Sequence, residues 1–355
     1  MANNAALSDR VLTTTNQFIM PQLVDTVLQS NVLFSRLVTK ATKRFNGERM
    51  QFPFKYATNT TGGSFSDLDL LGTSTTNNKL KLSFFPSFYH IDSVLPLTEI
   101  AVNDTDEKVL DLVQLTIKSD AMDMADGMGT QIYGDGTGNN NKDFLGLAAI
   151  VDDGSTVATY GGQSRSTYTT LQSTVTASSG TLTLQKMSTL YNAITAGTVH
   201  PNIGITTEAV FSFYEQLLVP QERINKDISM MRNSNKGLNS QTGLVGGTGF
   251  TGLDYKGFPI LADEKCTSGV LFFLNEDFLD FYALPFPDAE PIPVKGGKAE
   301  IVGNDYNNVT GFGFSWSGWI KPTNQAAYIG HTYLGGQLLS ANPRRHGKLT
   351  GITGI

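Results

Sequence analysis

Two short runs of alternating side chains, joined by a long polar insert, constrain this chain more than any other feature. In 48–56, Met50, Phe52, Phe54 and Tyr56 alternate with Arg49, Gln51 and Lys55; in 79–84, Leu80, Leu82 and Phe84 do the same. Period two marks a strand, because successive side chains point to opposite faces. The segment between them, 57–78, is rich in Thr, Gly, Ser and Asn and reads as the loose tip of a long hairpin, with few apolar anchors. A lone two-stranded hairpin is marginal in water. Its apolar row needs cover from the rest of the chain or from another copy, and the residues alone leave both open.

Whole classes of function fall on composition. The 26 Lys and Arg against 32 Asp and Glu leave a net charge of −6, which speaks against a protein that grips nucleic acid by charge. Only 16% of residues are charged, below the usual quarter or so, and the surface must be polar mainly through Ser, Thr and Asn. No apolar run approaches the ~18 residues of a membrane helix. The start of the chain lacks the basic and apolar regions of a secretory signal. The single cysteine, Cys266, rules out an internal disulfide and fits a reducing compartment. His90, His200, His331 and His346 lie far apart, with no second ligand at metal spacing. No cofactor is expected.

The 355 residues are enough for about two domains, and the order of patterns is mixed. Pro21 opens a helical stripe of Leu23, Val24, Val27, Leu28, Phe34, Leu37 and Val38, closed by the basic Lys40, Lys43 and Arg44. The longest helical pattern, 104–133, starts on Asp104 with Glu107 as in a capping box. Its apolar residues include Met124, Met128 and Ile132, Gly127 and Gly129 should weaken its last third, and it stops at Gly134-Asp-Gly-Thr-Gly138. Helices are expected over 184–196 and after a Thr206 cap, with strands at 203–205, 258–261, 270–274, 309–320 and 326–334. Strands and helices do not alternate regularly, so the class is α+β.

No catalytic constellation emerges, and the chain is not expected to be an enzyme. The 134–138 loop closes a helix rather than opening one, the wrong end for phosphate; a cation on Asp135 and Asp143 fits no calcium-loop spacing. The Asp152-Asp153 pair reads as a surface turn, and Glu222 with Asp227 shows no sign of facing a shared cleft. Cys266 reads as a structural thiol. Arg344, Arg345, His346 and Lys348 read as a solvated or subunit-bridging basic cluster.

The order of these features resembles the major capsid protein of tailed bacteriophages, in its Hong-Kong-phage-type form. The resemblance rests on the hairpin, the long helix, Ile132-Tyr-Gly-Asp-Gly-Thr-Gly138 followed by Gly146-Leu147, Tyr160-Gly-Gly162 with Arg165-Ser-Thr-Tyr168, 201–210, 255–260 and 272–278. It implies an N-terminal arm (1–44), an extended E-loop hairpin (45–92), a peripheral domain with a spine helix (93–180, helix 104–132), an axial domain (181–304) and strands returning to the peripheral domain (305–355). It further implies hexamers and pentamers of an icosahedral virion shell, put together in the host cytoplasm, with packaged DNA contacted weakly and no membrane. The partners implied are further copies of the chain, a separate scaffolding protein, a portal and decoration proteins. Subunit-contact candidates are Met50, Phe52, Phe54, Tyr56, Leu80, Leu82 and Phe84 on the hairpin, with Lys40, Arg44, Arg344 and Arg345. An encapsulin-type nanocompartment shares the implied fold. From a different class, the Thr- and Asn-rich surface suggests a secreted β-rich binding or glycan-degrading module.

Overall fold

The structure, a computed structural model, describes residues 31–40, 43–45, 47–103, 112–218, 252–284, 286, 290–291, 294–295, 298–299 and 315–353. Two six-stranded sheets organise them. In the first, the long strand Ala327–Ser340 pairs antiparallel with Ser87–Pro96 and with Leu279–Ala283, and short strands Lys43–Arg44, Ser315–Trp316 and Glu290–Pro291 extend it. The second runs in the order Thr174–Thr176, Gly347–Leu349, Leu271–Leu274, Ile203–Thr206, Phe258–Ala262, Gly252–Tyr255. The α+β class is as expected.

The second sheet is covered on both faces, which explains why its central strands are unbroken apolar runs. Along Leu271–Leu274 all four side chains are buried. Leu271 and Phe273 face the helices Leu184–Ile194 and Glu208–Leu218 through Leu190, Ile194, Val210 and Tyr214. Phe272 and Leu274 face the other way, into a core shared with Met124, Met128 and Ile132 of the long helix. The chain end joins this second sheet through Gly347–Leu349, while Leu279–Ala283 joins the first. The sheets therefore interleave segments that the expected boundaries at 181–304 and 305–355 keep apart.

Several local expectations change. The long helix is described over Leu112–Gln131; the Asp104–Glu107 capping box lies outside the described residues, as do Pro21–Leu28, Glu222 and Asp227. Of the strand expected over 309–320, Ser315–Trp316 forms, with a bridge from Ile320 to Ile329. Thr206 does not cap the helix after it. Its hydroxyl donates to the Val270 carbonyl at 2.8 Å; the preceding helix Leu184–Ile194 is capped by Thr183, which accepts from the Lys186 amide.

Gly129 is a place of close approach rather than a weak point. A Cβ there would lie 2.6 Å from the side chain of Asn31, the buried residue that opens the N-terminal helix Val32–Thr39. That helix packs Val32, Leu33, Phe34 and Leu37 into the main core. It is capped from another part of the chain: Asp263, at the end of a strand of the second sheet, accepts from the Leu33 amide at 3.0 Å and from the Tyr133 hydroxyl at 2.8 Å. A carboxylate at a helix N-terminus satisfies an orphan donor and opposes the dipole. Burial pushes the Asp263 pKa up while these donors pull it down. The Gly129→Ala variant should lose about 1–3 kcal/mol of stability in chemical denaturation, despite alanine's better helix propensity, because the added methyl displaces Asn31.

Candidate assembly surface

The hairpin forms as the alternation requires, Met50–Lys55 against Lys79–Phe84, with Phe52 opposite Leu82 and Phe54 opposite Leu80. The cover for its apolar face comes from its own protomer. Met50, Leu82 and Phe84 are buried, and Phe52, Phe54 and Leu80 pack half-buried on the same core. Phe84 meets Tyr160 edge-on at 5.0 Å or less (4.9 Å between centroids), and Tyr56 meets Tyr168 at 5.0 Å. The Ser83 amide donates to the Gly161 carbonyl at 2.9 Å, and Gln163 donates to Lys81 O. Of the two covers left open by the sequence, the chain itself supplies one for Met50, Leu82 and Phe84, while Phe52, Phe54, Tyr56 and Leu80 stay half-buried. The base of the hairpin is docked on its own chain.

Gly161 makes the docking possible. Its φ is +58°, and a Cβ would stand 2.9 Å from both Leu82 and Phe84, so the turn 160–163 can lie flat on the strand only without a side chain there. The turn is held from beneath. The Tyr160 hydroxyl donates to Ser340 O and accepts from Ser340 N, both at 2.9 Å, and the Arg165 guanidinium stacks on the Tyr160 ring.

Arg165 is fully buried and donates to the carbonyls of Ala149, Ile150 and Asp152. It lies 3.5 Å from the Asp152 carboxylate, which also accepts from the amides of Gly154, Thr156 and Val157. Asp152 is therefore no surface turn; only Asp153 beside it is partly exposed, accepting from Ser155. Lys348 approaches Asp152 at 3.8 Å. Burial lowers the pKa of Arg165 and of Lys348, and Asp152 opposes it in both.

What the hairpin leaves uncovered is its tip. Phe65 is 68% exposed, Leu68 97%, Leu70 100% and Leu71 66%, four large apolar side chains within seven positions of one loop and the most exposed such groups among the described residues. The anchors were in plain view within 57–78, but neither a period nor a run announced them. The opposite face of the hairpin base exposes Lys55, Lys79 and Lys81, with Lys55 directly opposite Lys79. Like charges in that position repel.

The basic candidates divide. Lys40 is engaged inside the protomer, donating to the carbonyls of Glu276 and Leu279 and pairing with Asp280 at 2.8 Å. Arg36 beside it grips Glu276 with two bonds of 2.6 and 2.7 Å. Arg44 is exposed on the short strand against Tyr282 and Ala283. Arg344 is exposed, whereas Arg345 is half-buried and donates to Ile194 O. The basic cluster near the chain end is thus not a solvated tail, for His346 and Lys348 are buried too. Cys266 is buried and its thiol is pushed up by burial, the reverse of an activated nucleophile. Asp135 spends its carboxylate on the Thr137 amide and hydroxyl, which hold its pKa down. Among the described residues no cluster of three His, Cys, Asp or Glu is placed to hold a metal, and no helix is long and apolar enough to cross a membrane.

No protein-family model and no curated protein matches this sequence. Solved structures do match, along nearly the whole length. The capsid asymmetric unit of cyanophage A-1(L) aligns with a TM-score of 0.70 at 14% identity, covering 98% of this chain and 100% of that one. The fold is the tailed-phage capsid fold. The capsid of a native GTA particle aligns at 0.57 and 9% identity, covering 99% of this chain and 100% of that one. The holo-SrpI encapsulin complex of Synechococcus elongatus PCC 7942 aligns at 0.56 and 10% identity, covering 98% and 96%.

Because Leu82 is fully buried within the protomer, Leu82→Ala should cost about 2–5 kcal/mol in unfolding of the unassembled chain. Loss of assembly without loss of protomer stability would contradict this docking.

Proposed function

We propose that this chain is a major capsid protein whose copies assemble into the hexamers and pentamers of an icosahedral phage head enclosing double-stranded DNA. The observation that carries the reading is the E-loop: docked at its base, it holds four large apolar side chains clear of its own protomer. Burying groups of this size is worth about 1.5–3 kcal/mol each, and in a shell of this fold a neighbouring subunit supplies the cover. The lysines on the outer face of the hairpin suit the same role, since a copy of net charge −6 offers a complementary surface. The mild acidity also suits a container that must enclose DNA without gripping it. On this reading the chain divides into arm, E-loop, peripheral and axial domains. The residues that meet a neighbour are Phe65, Leu68, Leu70 and Leu71, with Lys55, Lys79, Lys81, Arg44 and Arg344. A separate scaffolding protein, a portal and decoration proteins complete the virion.

A second reading, an encapsulin-type shell, is favoured by the alignment to the Synechococcus particle across almost the whole of both chains. The contents distinguish the two: DNA in a phage head, cargo protein in a nanocompartment.

Changing Leu68 and Leu70 together to Ser should reduce particle yield in electron micrographs at least ten-fold. The melting behaviour of the unassembled chain should stay within about 0.5 kcal/mol of the parent, as expected for exposed positions. Normal particles from this variant would overturn the role assigned to the tip.

A further inference from the structure

A chain of buried polar contacts runs between the base of the hairpin and the C-terminal end of the helix Val32–Thr39. At one end is Tyr160, whose ring supports Phe84 of the E-loop and whose hydroxyl holds both backbone groups of Ser340. The Ser340 hydroxyl lies 2.7 Å from Nε2 of His346, an imidazole with no solvent exposure. On the other side of that ring, the Asn275 amide donates to Nδ1 at 3.2 Å. Since Nδ1 accepts, the proton of the neutral ring sits on Nε2 and is donated to Ser340. Asn275 opens the turn Glu276–Phe278, its side chain accepting from the Asp277 amide and donating to His200 O. Glu276 is the residue that Arg36 grips and whose carbonyl receives Lys40, at the end of the N-terminal helix.

We propose that Ser340 and His346 are positioning residues that couple the root of the E-loop to the C-terminal end of the helix Val32–Thr39, so that the two shift together. Every link between Tyr160 and Glu276 is a direct hydrogen bond or a covalent bond, and Ser340 and His346 at its middle are fully buried. A displacement at one root must break a buried bond or be passed along. A second proton on His346 would set an N–H against the N–H of Asn275 and break the link at its centre. Burial, and then the charge of Lys40, push the His346 pKa down to about 3. The charged groups around it agree with a neutral ring. Lys40 comes from the N-terminal helix side, its charge shared with Asp280, which also pairs with Lys43. Glu276 is matched by Arg36. On its own segment Arg345 is turned to Ile194 O, and Lys348 to Asp152.

The coupling rests on the shell reading for its use, not for its existence, so its test is made within the chain. Hydrogen exchange of the full-length protein is followed at three places: the Ser83 amide at the E-loop root, the Lys40 amide at the end of the N-terminal helix, and the Met187 and Phe211 amides, at the starts of the helices Leu184–Ile194 and Glu208–Leu218, as a reference. Tyr160→Phe, which keeps the ring and loses the hydroxyl, should speed exchange about ten-fold at Ser83 and also at Lys40, with the reference within two-fold. In a Ser340→Ala background, Tyr160→Phe should no longer change Lys40. On acidification, after correction for intrinsic exchange, Ser83 and Lys40 should loosen together in the parent, and His346→Phe should abolish that step. An effect of Tyr160→Phe confined to Ser83, equal acceleration at the reference amides, or an acid step that survives in His346→Phe would each overturn the coupling. Should His346→Phe fail to fold, the Tyr160→Phe and Ser340→Ala pair decides alone. A particle assay that fails while the coupling holds would instead sink the shell reading.

Discussion

Everything outward-facing in this protein depends on how the E-loop root lies on the turn at Gly161. Two strands with a polar insert cannot hold a direction in water, and here direction is supplied by a surface underneath. Leu82 and Phe84 press on a residue with no Cβ, the Ser83 amide adds a strand-like bond, and Tyr56 and Phe84 are each met edge-on by a tyrosine. The result is a lever with a fixed fulcrum and a free end. The free end carries Phe65, Leu68, Leu70 and Leu71, and the angle at the fulcrum decides where those side chains are presented.

The fulcrum is stiff because its support is electrostatic as well as apolar. Arg165 is among the largest fully buried side chains of the described residues, and it stands on three carbonyls with Asp152 alongside. Such a group contributes little net stability against a well-packed apolar replacement, yet removing one partner leaves a buried charge uncompensated. Its value is geometric: fixed donors set the path of 149–165, and so the height of the Tyr160 ring. The N-terminal helix is handled in a similar way. Asp263 caps it from a distant strand, and Arg36 and Lys40 pin its far end to Glu276, Leu279 and Asp280. The hairpin base and the helix Val32–Thr39 thus both rest on charged footings.

The hairpin was legible because a period of two is a local property: Met50, Phe52 and Phe54 specify one face whatever they end up touching. The buried strand Leu271–Leu274 and the helix bearing Leu190 and Ile194 were legible for the same reason, each having its own pattern of burial. The cap of the N-terminal helix was not, because Asp263 lies far along the chain from the amide it serves. Asp152 and His346 misled as members of polar runs. A run of charges is normally solvated, and only the meeting of Gly347–Leu349 with Thr174–Thr176 and Leu271–Leu274 buries these two. Gly129 carried a signal that pointed the wrong way: read along the helix it weakens, read across to Asn31 it is the only residue that fits.

By itself the sequence determined the α+β class, the hairpin pair and the long helix, since each follows from local periodicity. Which apolar groups would remain outside was decided by tertiary structure alone. The alternating row of the hairpin looked like the surface in need of a partner and proved to be core, while the scattered apolar residues of its tip proved to be the exposed ones. Burial is a property of what arrives from elsewhere in the chain, and the turn at Gly161 that covers Leu82 and Phe84 has no mark in the hairpin's own residues.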